Sequence, residues 1–271
     1  MNAAMQLIRN QLKRQLSAHG YSVQRVDPLT ALADKFGSDK GTMLCGHQYA
    51  RIYGNLFEPL RQRDLVVLEM GLLRIDADWR RANNGAQGST HSACARAPSL
   101  EMWSAYFPRA RIYGFDIDDF SSVRLDRCTI LRGDMSSRAD LARLVDAIGA
   151  PIDIIIDDAS HASHHQQIAF GHLFPHLRTG GLYVIEDLFF HDPAMELAGA
   201  PNTRDLLRRL QAVGKFRSPF LSELQQSFIE ENHETVQLFD SRGKTSNVKD
   251  WTDSLAVVTK RTARNAAMGE G

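Results

Sequence analysis

Ile152-Asp-Ile-Ile-Ile-Asp-Asp158 sets four isoleucines within five positions and closes on two adjacent carboxylates. A short β-branched run without polar alternation reads as a strand buried on both faces. Three earlier stretches repeat the pattern: Leu65-Val-Val-Leu-Glu-Met70, Arg111-Ile-Tyr-Gly-Phe-Asp-Ile-Asp118 and Cys128-Thr-Ile-Leu-Arg-Gly-Asp134. Between them, Leu100, Trp103 and Phe107 fall at helical spacing, with Pro98 ahead and Pro108 behind; Leu141, Leu144, Val145 and Ile148 mark a second helix. Downstream, a helix is expected over His164–Leu177, then a turn at Gly180-Gly181 and a fifth strand, Leu182-Tyr-Val-Ile-Glu-Asp187. Thr235–Asp240 and Ser254–Thr259 read as two last strands joined by a turn-rich linker. The alternation predicts an α/β fold: a doubly wound, mostly parallel sheet of seven strands with an antiparallel edge hairpin.

A chain of 271 residues suits one such domain with appendages. The expected division is an N-terminal helical cap over 1–62, the sheet domain over 63–261 and a disordered tail over 262–271. Lys+Arg and Asp+Glu both number 32, so charge predicts neither nucleic acid nor a membrane as partner. No stretch approaches the roughly 20 apolar residues that span a bilayer. Arg9, Lys13 and Arg14 interrupt the N-terminal apolar positions, which argues for a short docking helix and against a signal peptide. Cys45, Cys94 and Cys128 are odd in number and widely spaced, as fits a reducing cytoplasm. Residues 74–97, a long polar segment after the first strand, are expected to form a lid or acceptor-contacting loop.

Ligands of open α/β sheets bind at the carboxyl ends of the strands, near the point where strand order reverses. Every one of the first five strands ends in acid: Glu69, Asp116, Asp134, the pair Asp157-Asp158, and the pair Glu186-Asp187. These positions suit an adenosylmethionine-like ligand. Gly71 lets backbone approach it, Asp116 can accept both ribose hydroxyls, Asp134 can take the adenine amino group, and Met135 can pack on the ring. A dinucleotide would need G-x-G-x-x-G after the first strand, and that is absent. Asp158, Glu186 and Asp187 offer the oxygen donors that Mg²⁺ or Mn²⁺ prefers, with His161 three residues beyond Asp158. The same acids could instead cap helices, with His161 satisfying a loop carbonyl.

Leu32-Ala-Asp-Lys-Phe-Gly-Ser-Asp-Lys-Gly-Thr42, His47-Gln-Tyr-Ala-Arg-Ile-Tyr53, Ile156-Asp-Asp-Ala-Ser-His161 and Gly180-Gly-Leu-Tyr-Val-Ile-Glu-Asp187 carry a more specific signal. Together they resemble a family of class I, S-adenosylmethionine- and Mg²⁺-dependent sugar O-methyltransferases. That family is typified by the macrolide-sugar enzyme of mycinamicin biosynthesis and by rhamnosyl O-methyltransferases of polyketide glycosides. The resemblance implies a Rossmann-like class I methyltransferase fold and a metal held by Asp158, Glu186 and Asp187, with His161 as general base. It further implies a cofactor site drawing on Lys40, Tyr49, Glu69, Gly71, Asp116, Asp134, Met135 and Asp157. The acceptor would be a small molecule, a glycoside or other hydroxylated natural product, and a homo-oligomer is left open. Three alternatives stand beside this: the same fold methylating a non-sugar oxygen, nitrogen or carbon, a non-catalytic cofactor-binding module, and a metal-dependent hydrolase, which the separate ribose and adenine acids disfavour. The compact glycine-rich loop expected after the first strand is replaced by residues 74–97, which carry Trp79, His91 and Cys94.

Overall fold

The computed structural model describes residues 27–43, 47–73, 95–189, 193–241 and 253–262. The expected N-terminal docking helix, the bulk of the long polar loop, the linker after Ser241 and the tail lie outside these residues.

Seven strands form one sheet: β1 (Val66–Met70), β2 (Arg111–Asp116), β3 (Cys128–Arg132), β4 (Ile152–Asp157), β5 (Leu177–Ile185), β6 (His233–Asp240) and β7 (Ser254–Lys260). Their order is β3-β2-β1-β4-β5-β7-β6. The first five run parallel, and β7 is antiparallel to both β5 and β6. The chain winds outward from β1 to β3, then returns to place β4 on the other side of β1. The β1/β4 boundary is therefore the switch point at which such sheets bind ligands.

One face of the sheet carries α1 (Pro28–Phe36), α2 (Ala50–Phe57) and α3 (Pro98–Tyr106); the other carries α4 (Arg138–Ile148), α5 (Ser163–Leu173), α6 (Thr203–Val213) and α7 (Glu223–Asn232). Leu29, Tyr53 and Phe57 share one hydrophobic cluster with Val67, Ile112 and Ile154, so the N-terminal helices are built into the sheet's core. Trp103 lies in that cluster, in ring contact with Tyr53, Phe57 and Phe107. Among the described residues no helix is long and apolar enough to cross a membrane.

Two boundaries differ from expectation. The helix expected to reach Leu177 ends at Leu173 and passes into a 3-10 turn over Phe174–His176, because Pro175 has no amide to continue the ladder. The fifth strand starts at Leu177 and not at Leu182, so Gly180-Gly181 lie inside it. Its pairing with β4 shifts register: Ile152 pairs with Leu177 and Ile154 with Leu182, so residues 178–181 stand off the ladder, with Gly180 at φ 76°.

Candidate active site

A cleft of about 550 Å³ opens at the carboxyl ends of β1, β2 and β4. Gly71 stands at its floor with φ 83°. A Cβ there would fall 2.1 Å from the Asp158 carbonyl oxygen and 2.4 Å from Ala159 Cα. Its missing side chain therefore lets the β4 loop close onto β1, which is a different task from admitting a ligand.

At one end of the cleft, Asp116 is held by two loops. Its Oδ2 accepts from Leu72 N at 2.6 Å and its Oδ1 from Asp118 N at 2.8 Å. Burial pushes its carboxyl above the usual range, and these amides oppose the shift. Asp134 accepts from Ser136 N at 2.8 Å and, through its own amide, donates to Asp140 Oδ2 at 2.9 Å. Beside it, Met135 Sδ receives the Ser160 hydroxyl at 3.4 Å, and Ser160 Oγ lies 2.8 Å from His165 Nδ1. Ile117, 63% exposed, adds an apolar wall.

The other end is ionic. One donor atom each from Asp158, His161 and Asp187 lie within 4.8 Å of one another. His161 and Asp187 both sit at positive φ, 57° and 52°, a conformation that non-glycine residues hold only where surrounding structure imposes it. Asp187 Oδ1 accepts from Tyr49 OH at 2.8 Å and lies 3.2 Å from His47 Nδ1, while its Oδ2 is 3.7 Å from His161 Nε2. Burial would raise the Asp187 carboxyl, but His47, His161 and Tyr49 hold it below the carboxylate range. Burial also depresses His161 below ordinary imidazole, against the pull of Asp187 and Asp253.

Glu186 meets Tyr53 and Lys40. Its Oε1 accepts from Tyr53 OH at 2.5 Å and lies 3.2 Å from Lys40 Nζ; burial pushes its carboxyl up to about 7. Tyr49 and Tyr53, four residues apart at the start of α2, thus grip consecutive acids at the end of β5. Lys40 itself touches Asp158. Burial would depress its ammonium, yet Asp158, Glu186, Asp39 and Glu69 raise it well above the lysine range.

Most residues expected at the site line the cleft: of those expected at the cofactor, Gly71, Asp116, Asp134 and Met135 at one end and Lys40 and Tyr49 at the ionic end, and all four expected at the metal, Asp158, His161, Glu186 and Asp187. Glu69 and Asp157, expected at the cofactor, do not. Strand alternation sends Glu69 to the α3 face, where Ser99 and Trp103 face it and its Oε1 lies 3.4 Å from Lys40 Nζ. Asp157, 1% exposed, shares the opposite face with Ile155 and Tyr183, where burial pushes its carboxyl up to about 8.

Three contributors escaped the sequence reading. His165 lines the cleft. His47 and Asp253 converge with Asp187. Asp253 precedes the one antiparallel strand, whose amino end necessarily lies beside the carboxyl end of β5; Leu188 N donates to Ser254 O at 2.9 Å. No local spacing signals this.

No family model matches the chain. It is 42% identical over 163 residues to the 8-demethyl-8-alpha-L-rhamnosyl tetracenomycin-C 2'-O-methyltransferase of Streptomyces olivaceus, a match covering 60% of this chain and 38% of that protein. It is 36% identical over 165 residues to the mycinamicin VI 2''-O-methyltransferase of Micromonospora griseorubida, covering 61% and 37%. Among solved structures it superposes on the MycE methyltransferase of the mycinamycin pathway, in complex with Mg, SAH and mycinamycin VI, with TM-score 0.63 and 28% identity. The fold is the class I methyltransferase fold. Its curated relatives are sugar O-methyltransferases. The chain spans under two fifths of those relatives' lengths and 62% of the MycE chain.

Proposed function

We propose that the chain is an S-adenosylmethionine-dependent O-methyltransferase that modifies a sugar hydroxyl of a glycosylated natural product, in the cytoplasm and with a divalent metal bound. One observation carries the reading: a single cleft joins Asp116, Asp134 and Met135 at one end to Asp158, His161 and Asp187 at the other. The first end fits a nucleoside, since carboxylate acceptors stand beside the apolar Met135 and Ile117. The second fits a hard cation, because carboxylate oxygens dominate its donors and the carboxyl groups of Asp39, Glu69, Asp158 and Glu186 lie around a single ammonium, that of Lys40.

Asp116 would hold the ribose hydroxyls, while Asp134 and Met135 would meet the adenine. Asp158 and Asp187, with Glu186 behind them, would hold Mg²⁺ or Mn²⁺. When bound, the cofactor supplies an electrophilic methyl sulfonium and the ion supplies Lewis acidity toward a hydroxyl. His161, kept neutral by burial, takes the acceptor hydroxyl's proton at Nε2, and Asp187 beside it stabilises the imidazolium that results. Fixed positions for both partners remove much of the entropic barrier.

The test is calorimetry with S-adenosylhomocysteine, followed by methyl transfer to a panel of rhamnosylated and other glycosylated acceptors with Mg²⁺ or with excess chelator. Binding of the cofactor product and metal-dependent methylation of a sugar hydroxyl are expected. Absence of S-adenosylhomocysteine binding would overturn the reading, and undiminished turnover in chelator would remove the metal from it.

A further inference from the structure

Lys40 is 2% exposed and is the cation at the centre of the acids. Its ammonium contacts Asp158 and lies 3.2 Å from Glu186 Oε1, 3.4 Å from Glu69 Oε1 and 3.9 Å from Asp39 Oδ1. The turn that carries it is braced on both sides. Lys40 N donates to Ser38 Oγ at 3.3 Å, Lys40 O accepts from Ala50 N at 2.9 Å, and the Asp34 carboxylate takes both Thr42 N at 2.6 Å and Thr42 Oγ1 at 2.7 Å. A Cβ on Gly41 would fall 2.4 Å from Asp34 Oδ1, so the turn packs tightly on α1. Lys40 is thus fixed in place and not a surface side chain that folds in by chance.

Asp158 consequently serves two sets of contacts. It belongs to the donor group with His161 and Asp187, and it is also the carboxylate that the ammonium touches. Two cations sharing one carboxylate in a buried site repel each other strongly, because little water screens them. Without any cation between them, Asp158, Glu186 and Glu69 would face one another uncompensated, which costs stability.

We propose that Lys40 is a built-in competitor of the divalent ion: it neutralises Asp158 and Glu186 when the ion is absent and thereby sets a weaker, reversible metal affinity. The inference rests on the metal reading of the same acids. It assigns to Lys40 a role toward the ion and not toward the cofactor.

The test measures Mn²⁺ binding to the full chain, by the spectrum of free Mn²⁺, together with melting temperature with and without Mn²⁺. Lys40→Met should bind Mn²⁺ at least about tenfold tighter than wild type. Its melting temperature should fall without the ion and regain more on Mn²⁺ addition than wild type gains. Lys40→Arg, which keeps the charge, should stay within about threefold of the wild-type Kd. Should the Met variant fail to fold, Lys40→Gln keeps hydrogen-bond donors to the acids and carries the same expectation. Binding that is unchanged or weaker in the neutral variants overturns the competition alone. Absence of Mn²⁺ binding by wild type and variants overturns the metal reading, and the competition falls with it.

Discussion

Replacing Gly71 by alanine separates two accounts of why a glycine follows β1. If it serves only to let a ligand approach, Gly71→Ala should weaken cofactor binding and leave the fold intact. The geometry demands more. The new Cβ would fall 2.1 Å from the Asp158 carbonyl oxygen, a backbone atom that cannot rotate aside. Reaching an ordinary contact moves the Asp158–Ala159 backbone by about 1 Å, and a displacement of that size at a reacting centre can cost about 100-fold in rate. Holding alanine at φ 83° adds roughly 1–2 kcal/mol. Gly37 supplies the control, since it has φ 74° with nothing within 4 Å of an added Cβ. Gly37→Ala should lose only the conformational part, about 1 kcal/mol in urea unfolding, whereas Gly71→Ala should lose about 2–4 kcal/mol. Turnover of the Gly71 variant should fall about 100-fold, with Mn²⁺ binding weakened in parallel. Equal stability losses in the two variants, or unchanged Mn²⁺ binding in the Gly71 variant, would refute the seating role.

Other expectations follow from single contacts. Asp116→Ala removes the carboxylate that faces the cleft and should weaken S-adenosylhomocysteine by about 1.5–3 kcal/mol in calorimetry; unchanged affinity would take Asp116 out of the site. His161→Ala should lower turnover about 10²–10⁴-fold, and a wild-type rate would assign the base elsewhere. Tyr53→Phe deletes the 2.5 Å hydrogen bond to Glu186 Oε1 and should cost about 1.5–3 kcal/mol in urea unfolding, which a wild-type midpoint would contradict. Far from the cleft, Lys260 Nζ donates to Pro175 O and Leu177 O, each at 2.7 Å. Lys260→Met leaves those carbonyls unpaired at the start of β5 and should cost about 1–3 kcal/mol with no change in cofactor affinity; a matching loss of affinity would tie β5 to the cleft.

Much of this molecule is written in short-range pattern. β4 is legible because four isoleucines can only be satisfied by burial on both faces, and the acids at 116, 134, 158 and 187 because each directly ends or follows such a run. Two errors of boundary, at Leu173 and at Leu177, come from local features that compete with periodicity: a proline inside a helical pattern and a glycine pair in an irregular stretch that the strand runs through. Asp157 and Glu69, expected at the cofactor, do not line the cleft. Each sits one or two positions before a residue that does, and strand alternation sends them to opposite faces of the sheet, Glu69 toward Ser99 and Trp103 and Asp157 toward Tyr183.

The sequence by itself determined the class of fold, the carboxyl edge as the place for chemistry and the acids that gather there, because strand period and strand-end position are properties of neighbouring residues. Only the tertiary structure decided what those acids meet. Lys40 comes to Asp158 across 118 positions, Tyr53 to Glu186 across 133 and Tyr49 to Asp187 across 138. Asp253 reaches Asp187 and His47 through the reversed direction of β7, and Gly71 owes its role to the close passage of β4. Those meetings depend on how the chain returns on itself, and no spacing within a single element encodes them.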